Sequence, residues 1–412
     1  MKIIVAHPTG NPNVRALLAA FNDAGLLTAF CTTIAVDPAH LLIKLLPWKI
    51  QKELTRRSYA IPLNQIRTRP LLELFRHLLP KLGFKQSVSP ETGFASLESV
   101  YADLDRMVAA RLKRWKEVDR VKAVYAYEDG ALHTFMRAKE LGLTCIYDLP
   151  IAYWETGRRL MLEEAERLPA WAQTLGGGIS DSAEKLDRKR RELELADIVV
   201  VPGEFVQGSL PEWAKGKKII VSPFGSPDNE QFQQAKSFDR PLRVLFVGSM
   251  GQRKGLADLF KAMKMMLPGQ AELVVMGPLQ APLNFYKAEL PDFIYESNRP
   301  HGEVLKLMQT CDVLCLPSIV EGRALVMQEA MSQGLPLLIT ANTGGEDLIA
   351  EGHTGFLIPI RSPQKIAEKL KWFSDNREKT KQMGAQARKA AAGYTWKKYG
   401  DHIVNEIRNY DV

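Results

Sequence analysis

Residues 312–358 read DVLCLPSIVEGRALVMQEAMSQGLPLLITANTGGEDLIAEGHTGFLI. The apolar run 312–316 has the length and composition of a buried strand, and Pro317 and Ser318 end it. Glu321-Gly322 then leads into a helix predicted over 324–332, with Gly334 stopping it and Pro336 beyond. The next strand is predicted over 336–340. This is a strand–loop–helix–strand unit, with its loop and helix start at the carboxyl edge of a parallel sheet, where ligands bind in open α/β folds. Glu321 on the loop and Glu329 in the helix lie eight residues apart. Between them the amides of Gly322, Arg323, Ala324 and Leu325 have no partner within the helix, and the helix dipole favours an anion there. A carboxylate accepts hydrogen bonds, so each Glu suits a vicinal diol. The spacing fits a nucleotide sugar; two glutamates so spaced on a helix surface are the plain alternative.

The wider pattern, EG…LV…EAM…G.P followed by TGGEDLI and GHTGFLI, resembles the signature of the retaining glycosyltransferases of family 4. The resemblance covers roughly residues 196–373 well and the N-terminal half more loosely. It implies a GT-B fold: α/β, two Rossmann-like domains with parallel sheets facing a central cleft. It also implies that Glu321 orients the donor sugar, that the diphosphate sits on the helix start, and that Glu329 takes the ribose hydroxyls.

A second stretch fits the same ligand. A strand over 243–247 is followed by Gly248-Ser-Met-Gly-Gln-Arg253-Lys254-Gly255. Glycine after a strand lets backbone approach phosphate, and two adjacent cations can neutralise a leaving diphosphate. Cations at a helix start are disfavoured by the dipole unless an anion joins them. The family has a basic pair at this point, and Gly277, after the strand 272–276, falls by resemblance near the base. Helix dipole and cations together replace a metal, so neither metal nor cofactor is expected. The donor is expected to be UDP-linked rather than GDP-linked.

At 412 residues the chain is long enough for two domains. The expected division is 1–222 for the acceptor domain, 223–240 for a linker, 241–394 for the donor domain and 395–412 for a helix crossing back to the first domain. Cys31, Cys145, Cys311 and Cys315 complete no metal-ligand pattern and read as buried reduced thiols of a cytosolic protein. No leader is read at the start, where Met1-Lys2 precedes only a four-residue apolar run, and no stretch approaches a membrane span. The net charge is +8, and residues 41–86 alone carry ten Lys/Arg against two acids, the whole excess. Leu41-Leu42, Leu45-Leu46, Trp48 and the leucines of 71–79 are mixed among them. Basic and apolar residues so mixed suit an interfacial helix on anionic lipid; a solvated insert is the alternative. Aromatic residues are too sparse here for nucleic acid.

In chain order, Gly10 follows the first strand and permits close backbone approach to a ligand, or is a plain turn glycine. The basic insert spans 38–90. Asp103-x-Asp105 lies on a predicted helix over 96–115, where i and i+2 do not face each other, so it is read as surface rather than as a metal motif. Glu128 and Asp129 end one strand and Asp148 the next. Each is a candidate for a sugar or acceptor hydroxyl, Asp148 for its proton, or else a cap. Many family members have a histidine at the position of Asp148. The catalytic candidates are therefore Glu321, Asp148 and Glu128, for transfer of a sugar to a sugar or lipid-linked acceptor in glycolipid, lipopolysaccharide or exopolysaccharide synthesis, with the protein expected in the cytoplasm or peripheral on the inner membrane face. The rivals are a sugar-nucleotide epimerase of the same fold and an inactive membrane-bound module.

Overall fold

The structure, a computed structural model, describes residues 1–40, 43, 47–227 and 240–410. Leu41, Leu42, Lys44, Leu45 and Leu46 of the basic insert and residues 228–239 of the expected linker lie outside the described residues.

Two all-parallel sheets form the frame. The first contains β1 (Ile3–Ala6), β2 (Leu27–Thr32), β3 (Ile66–Thr68), β4 (Ala123–Tyr127), β5 (Thr144–Asp148), β6 (Ile198–Val201) and β7 (Lys218–Val221), in the order β3-β2-β1-β4-β5-β6-β7. The second contains β8 (Leu242–Val247), β9 (Ala271–Met276), β10 (Ile294–Glu296), β11 (Val313–Leu316), β12 (Leu337–Ile339) and β13 (Gly355–Leu357), in the order β10-β9-β8-β11-β12-β13. In each, the strand order reverses beside the first strand. That leaves a crevice at the carboxyl ends of β1 and β4, and another at those of β8 and β11. The GT-B expectation of two Rossmann-like domains holds.

Helices cover both faces, so the strands are buried on both sides and read as continuous apolar runs. Two apolar clusters sandwich the first sheet and one surrounds the second. The four cysteines are buried, and none is in a disulfide. Among the described residues no helix is long and apolar enough to cross a membrane.

Two segments depart from a simple division of the chain. The Trp154–Arg167 helix and the turn after it leave the first domain, and Trp171 is buried in the core of the second, edge-on to Phe260 and Tyr286. The last helix, Trp396–Arg408, returns to the first domain, where Tyr399, Ile403, Val404 and Ile407 join its core.

The basic insert adds β3 as an edge strand on β2 and a helix, Leu71–Leu78. That helix is inverted. Glu73 is buried, paired with Arg57 and Arg76 at 3.0 Å and with His77 at 3.2 Å, while Leu71, Leu74, Phe75 and Leu78 face solvent.

Candidate active site

The site is built on the crevice of the second sheet. β8 ends at Val247, and Gly248 follows at φ 146°; Gly277, after β9, has φ 150°. A Cβ on Gly277 would lie 1.9 Å from the Gly248 carbonyl oxygen, and one on Gly248 would lie 2.6 Å from Lys254 Cδ. Only glycines let the two loops abut with the Lys254 side chain laid across them. Lys254 thereby reaches Glu321: its Nζ is 2.5 Å from Oε1, and Arg253 Nη1 is 2.9 Å from the same atom. Both contacts converge on Glu321 Oε1, a buried acceptor held by the two cations. Arg253 Nη1 also donates to the Val320 carbonyl at 3.0 Å. Burial lowers the Lys254 pKa, against the pull of Glu321. Two cations on one carboxylate leave a net positive, poorly solvated cluster at the sheet's ligand edge, and such a cluster favours an anion.

The helix after β11 runs Leu325–Ser332, one residue shorter than expected. Two details of its start correct the expectation. The Ala324 amide is not open to a phosphate, because it donates to the Thr343 carbonyl at 3.2 Å. Nor is the Arg323 guanidinium: it is buried, pairs with Asp347 at 2.6 Å, and donates to Gly344 O and Gln328 Oε1. Its charge is used inside the protein. Gly322 meets the first domain, since a Cβ there would lie 1.7 Å from the Pro150 carbonyl. Leu325 packs against the first domain's core. Glu329 is hydrogen-bonded to His301 Nε2 at 3.1 Å; burial raises its pKa and His301 opposes the shift.

The first-domain candidates are occupied by structural partners. Asp148 ends β5 but is buried, and the Tyr125 hydroxyl donates to its Oδ2 at 2.5 Å. Burial raises its pKa to about 7, with Tyr125 opposing. Glu128 is buried beside Lys189, 3.0 Å away, which corrects its reading as a group open to substrate. Asp129 is bound by Arg188 and Lys189. Gly10 is smallest where the Tyr59 ring fills the place of its side chain, so the absent Cβ serves packing of the insert. Asp103 pairs with Arg69, and Asp105 accepts from the amides of His133 and Thr134 at 2.7 and 2.8 Å, capping the following helix.

Three side chains at the site escaped the sequence reading. His301 belongs to no motif, and its partner Glu329 is 28 positions away. Gln328 joins Arg323 to the Phe224 carbonyl, and Gln252 sits buried behind the cation pair. A buried glutamine has no sequence signal apart from its neighbours.

Residues 227–390 match the family model described as glycosyl transferases group 1. The chain is 28% identical over 173 residues to the putative colanic acid biosynthesis glycosyltransferase WcaL of Salmonella typhimurium, covering 38% of this chain and 42% of that one. It is 28% identical over 325 residues to the D-inositol 3-phosphate glycosyltransferase of Corynebacterium glutamicum, covering 67% and 77%. Across the first relatives matched, the chain spans about half of their length. The crystal structure of Anabaena Alr3699/HepE in complex with UDP superposes with a TM-score of 0.63 at 15% identity, covering 99% of this chain and 100% of that one. The likeness to solved structures thus shows the GT-B fold, and the likeness to group 1 glycosyl transferases lies on the domain that carries the Arg253–Glu321–Lys254 cluster.

Proposed function

We propose that the chain is a retaining, metal-independent glycosyltransferase that moves a sugar from a nucleoside diphosphate sugar to an acceptor hydroxyl. The observation that carries this reading is the cluster of Arg253 and Lys254 on the buried carboxylate of Glu321. A diphosphate competes with Glu321 for both cations. Once they turn to it, the carboxylate is freed to accept hydrogen bonds from the sugar hydroxyls. The same two cations then stabilise the charge that builds on the departing diphosphate. The acceptor oxygen bonds to the anomeric carbon on the face the phosphate leaves, and the departing phosphate oxygen takes its proton. Glu329, oriented by His301, holds the ribose. The UDP of the Anabaena complex supports a uridine donor.

The likeness to a colanic acid biosynthesis enzyme supports a saccharide acceptor of polysaccharide or glycolipid synthesis. The outward apolar face of the Leu71–Leu78 helix, with Arg67, Lys81 and Lys85 in the same insert, supports presentation of that acceptor at an anionic membrane surface.

Calorimetric titration of UDP- and GDP-linked sugars in the presence of a chelator tests the donor site. One nucleotide class should bind the wild type and fail to bind Arg253→Ala/Lys254→Ala. Equal binding by the variant, or binding by neither protein, would remove the reading.

A further inference from the structure

We propose that residues 150–175, which come from the first half of the chain, are a strut of the donor site. The strut fixes the Arg253–Lys254 loop against the Glu321–Gly322 loop, with Glu164, Thr174 and Gln252 as positioning residues. The inference rests on the donor reading above and extends it to side chains behind the cation pair.

One end of the strut seats the Glu321 loop. The Ala152 amide donates to the Glu321 carbonyl at 3.3 Å, the Pro150 carbonyl fills the space beside Gly322, and Leu160 and Met161 pack on Ile319 and Val320. The other end seats the cation loop. Thr174 Oγ1 accepts from the Gln252 amide at 3.0 Å, and the Thr174 carbonyl lies 2.2 Å from where a Cβ on Gly251 would stand.

Between the two ends is an ionic cluster whose carboxylates, Glu164 and Asp258, are fully buried and whose guanidiniums are half-buried. Arg167 bridges Glu164 and Asp258 at 2.6 and 2.7 Å, and Arg361 Nε reaches Glu164 at 2.5 Å. The Gln252 side chain completes it. Its Nε2 donates to Glu164 at 2.7 Å and to Asp258 at 2.9 Å, and its Oε1 accepts from the Ala257 amide at 3.0 Å. Gln252 therefore has a fixed orientation, and Arg253 follows it in the chain.

Two features separate a positioning device from simple domain adhesion. Arg361 reaches Glu164 from a backbone with φ 58°, a conformation that side-chain-bearing residues disfavour. Arg361 also meets Glu163 at 2.8 Å, and Arg159 meets Glu163 at 2.7 Å, so three guanidiniums balance three carboxylates and the network draws no charge from Arg253 or Lys254. Apolar contact such as that of Trp171 would hold the segment in place, whereas directional hydrogen bonds specify its register.

The test is calorimetric titration of UDP and GDP into the wild type, Glu164→Gln, Thr174→Val and a control, Asp312→Asn. Asp312 is also a buried carboxylate, paired with Arg240 at 2.8 Å and Arg377 at 2.9 Å, but it stands at the amino end of β11, away from both loops. Glu164→Gln and Thr174→Val should each weaken nucleotide binding by about tenfold or more. Asp312→Asn should lower the melting temperature comparably and leave binding within about twofold of wild type. Wild-type binding in both strut variants would overturn the strut while leaving the donor site standing. Weakening that tracks melting temperature in all three variants would overturn it as well. A wild type that binds neither nucleotide overturns the donor reading and the strut with it. Should Glu164→Gln not fold, Thr174→Val, which removes the hydroxyl's two hydrogen bonds, to the Gln252 amide and the Trp171 carbonyl, and no charge, decides the matter.

Discussion

Asp148 shows how burial alone reassigns a carboxylate. Its strand end is a ligand edge by topology, yet the side chain turns inward to Tyr125 and loses its water. Burial raises its pKa to about 7, whereas the unfolded chain titrates near 3.9. Between these values the folded state holds a proton that the unfolded state has released. The contribution of Asp148 to stability is therefore complete at pH 4 and below, falls as pH rises towards 7, and is flat above. The slope is at most about 1.4 kcal/mol per pH unit. Asp148→Asn removes the titration and keeps an oxygen for the Tyr125 hydroxyl. The difference in unfolding free energy between wild type and variant, from urea denaturation at pH 5 and pH 8, should favour the variant by a few kcal/mol more at pH 8. An unchanged difference would mean that Asp148 is ionised in the folded protein throughout. Glu321 is the opposite case. It too is buried, but two cations stand beside it, so its charge is balanced where that of Asp148 is not.

Elements were legible where burial is two-sided. β11 and β12, VLCL and LLI, are unbroken apolar runs, and the run predicted over 312–316 appears as Val313–Leu316. The start of the Leu325–Ser332 helix was legible as a place but not in its wiring. The partners of Arg323 and Ala324, Asp347 and Thr343, lie 24 and 19 residues on and reach them only through the fold. The Leu71–Leu78 helix shows a further limit. An amphipathic pattern marks two faces without saying which one the core takes, and here Glu73 is inside because Arg57 and Arg76 meet it there. Leu74 and Leu78 on the outward face bear on no core, so Leu74→Glu/Leu78→Glu should leave the melting temperature unchanged. The same change removes on the order of 2–4 kcal/mol of apolar burial from any interface and adds two charges of the wrong sign for anionic lipid. Co-sedimentation with vesicles of anionic phospholipid should fall more than tenfold, and wild-type binding to zwitterionic vesicles should be weak. Equal sedimentation of both proteins would assign this face to something other than a membrane.

At the scale of the molecule, two exchanges of chain bind the domains. The strut carries Trp171 into the second core, and the last helix carries Tyr399, Ile403 and Ile407 into the first. The return is close: Gly400 lies against the Pro12–Asp23 helix, where an added Cβ would stand 2.6 Å from Ala20 Cβ. Lys218–Glu406 at 2.6 Å and Arg408 on the Ala24 carbonyl at 2.9 Å tie down its length. Neither domain has a complete core without chain covalently continuous with the other. A domain that loses its borrowed segment also releases the segment it lends, so the two should unfold together, although chains of this size commonly unfold domain by domain. Ile403→Ala, fully buried in the first domain, should cost about 2–5 kcal/mol. Calorimetric scanning should show one transition in the wild type and one in the variant, moved down as a whole, with the nucleotide site of the second domain lost at the same temperature as the core of the first. Two resolved transitions, with only the lower one moved by Ile403→Ala, would mean that the exchanged segments cover the cores without coupling them.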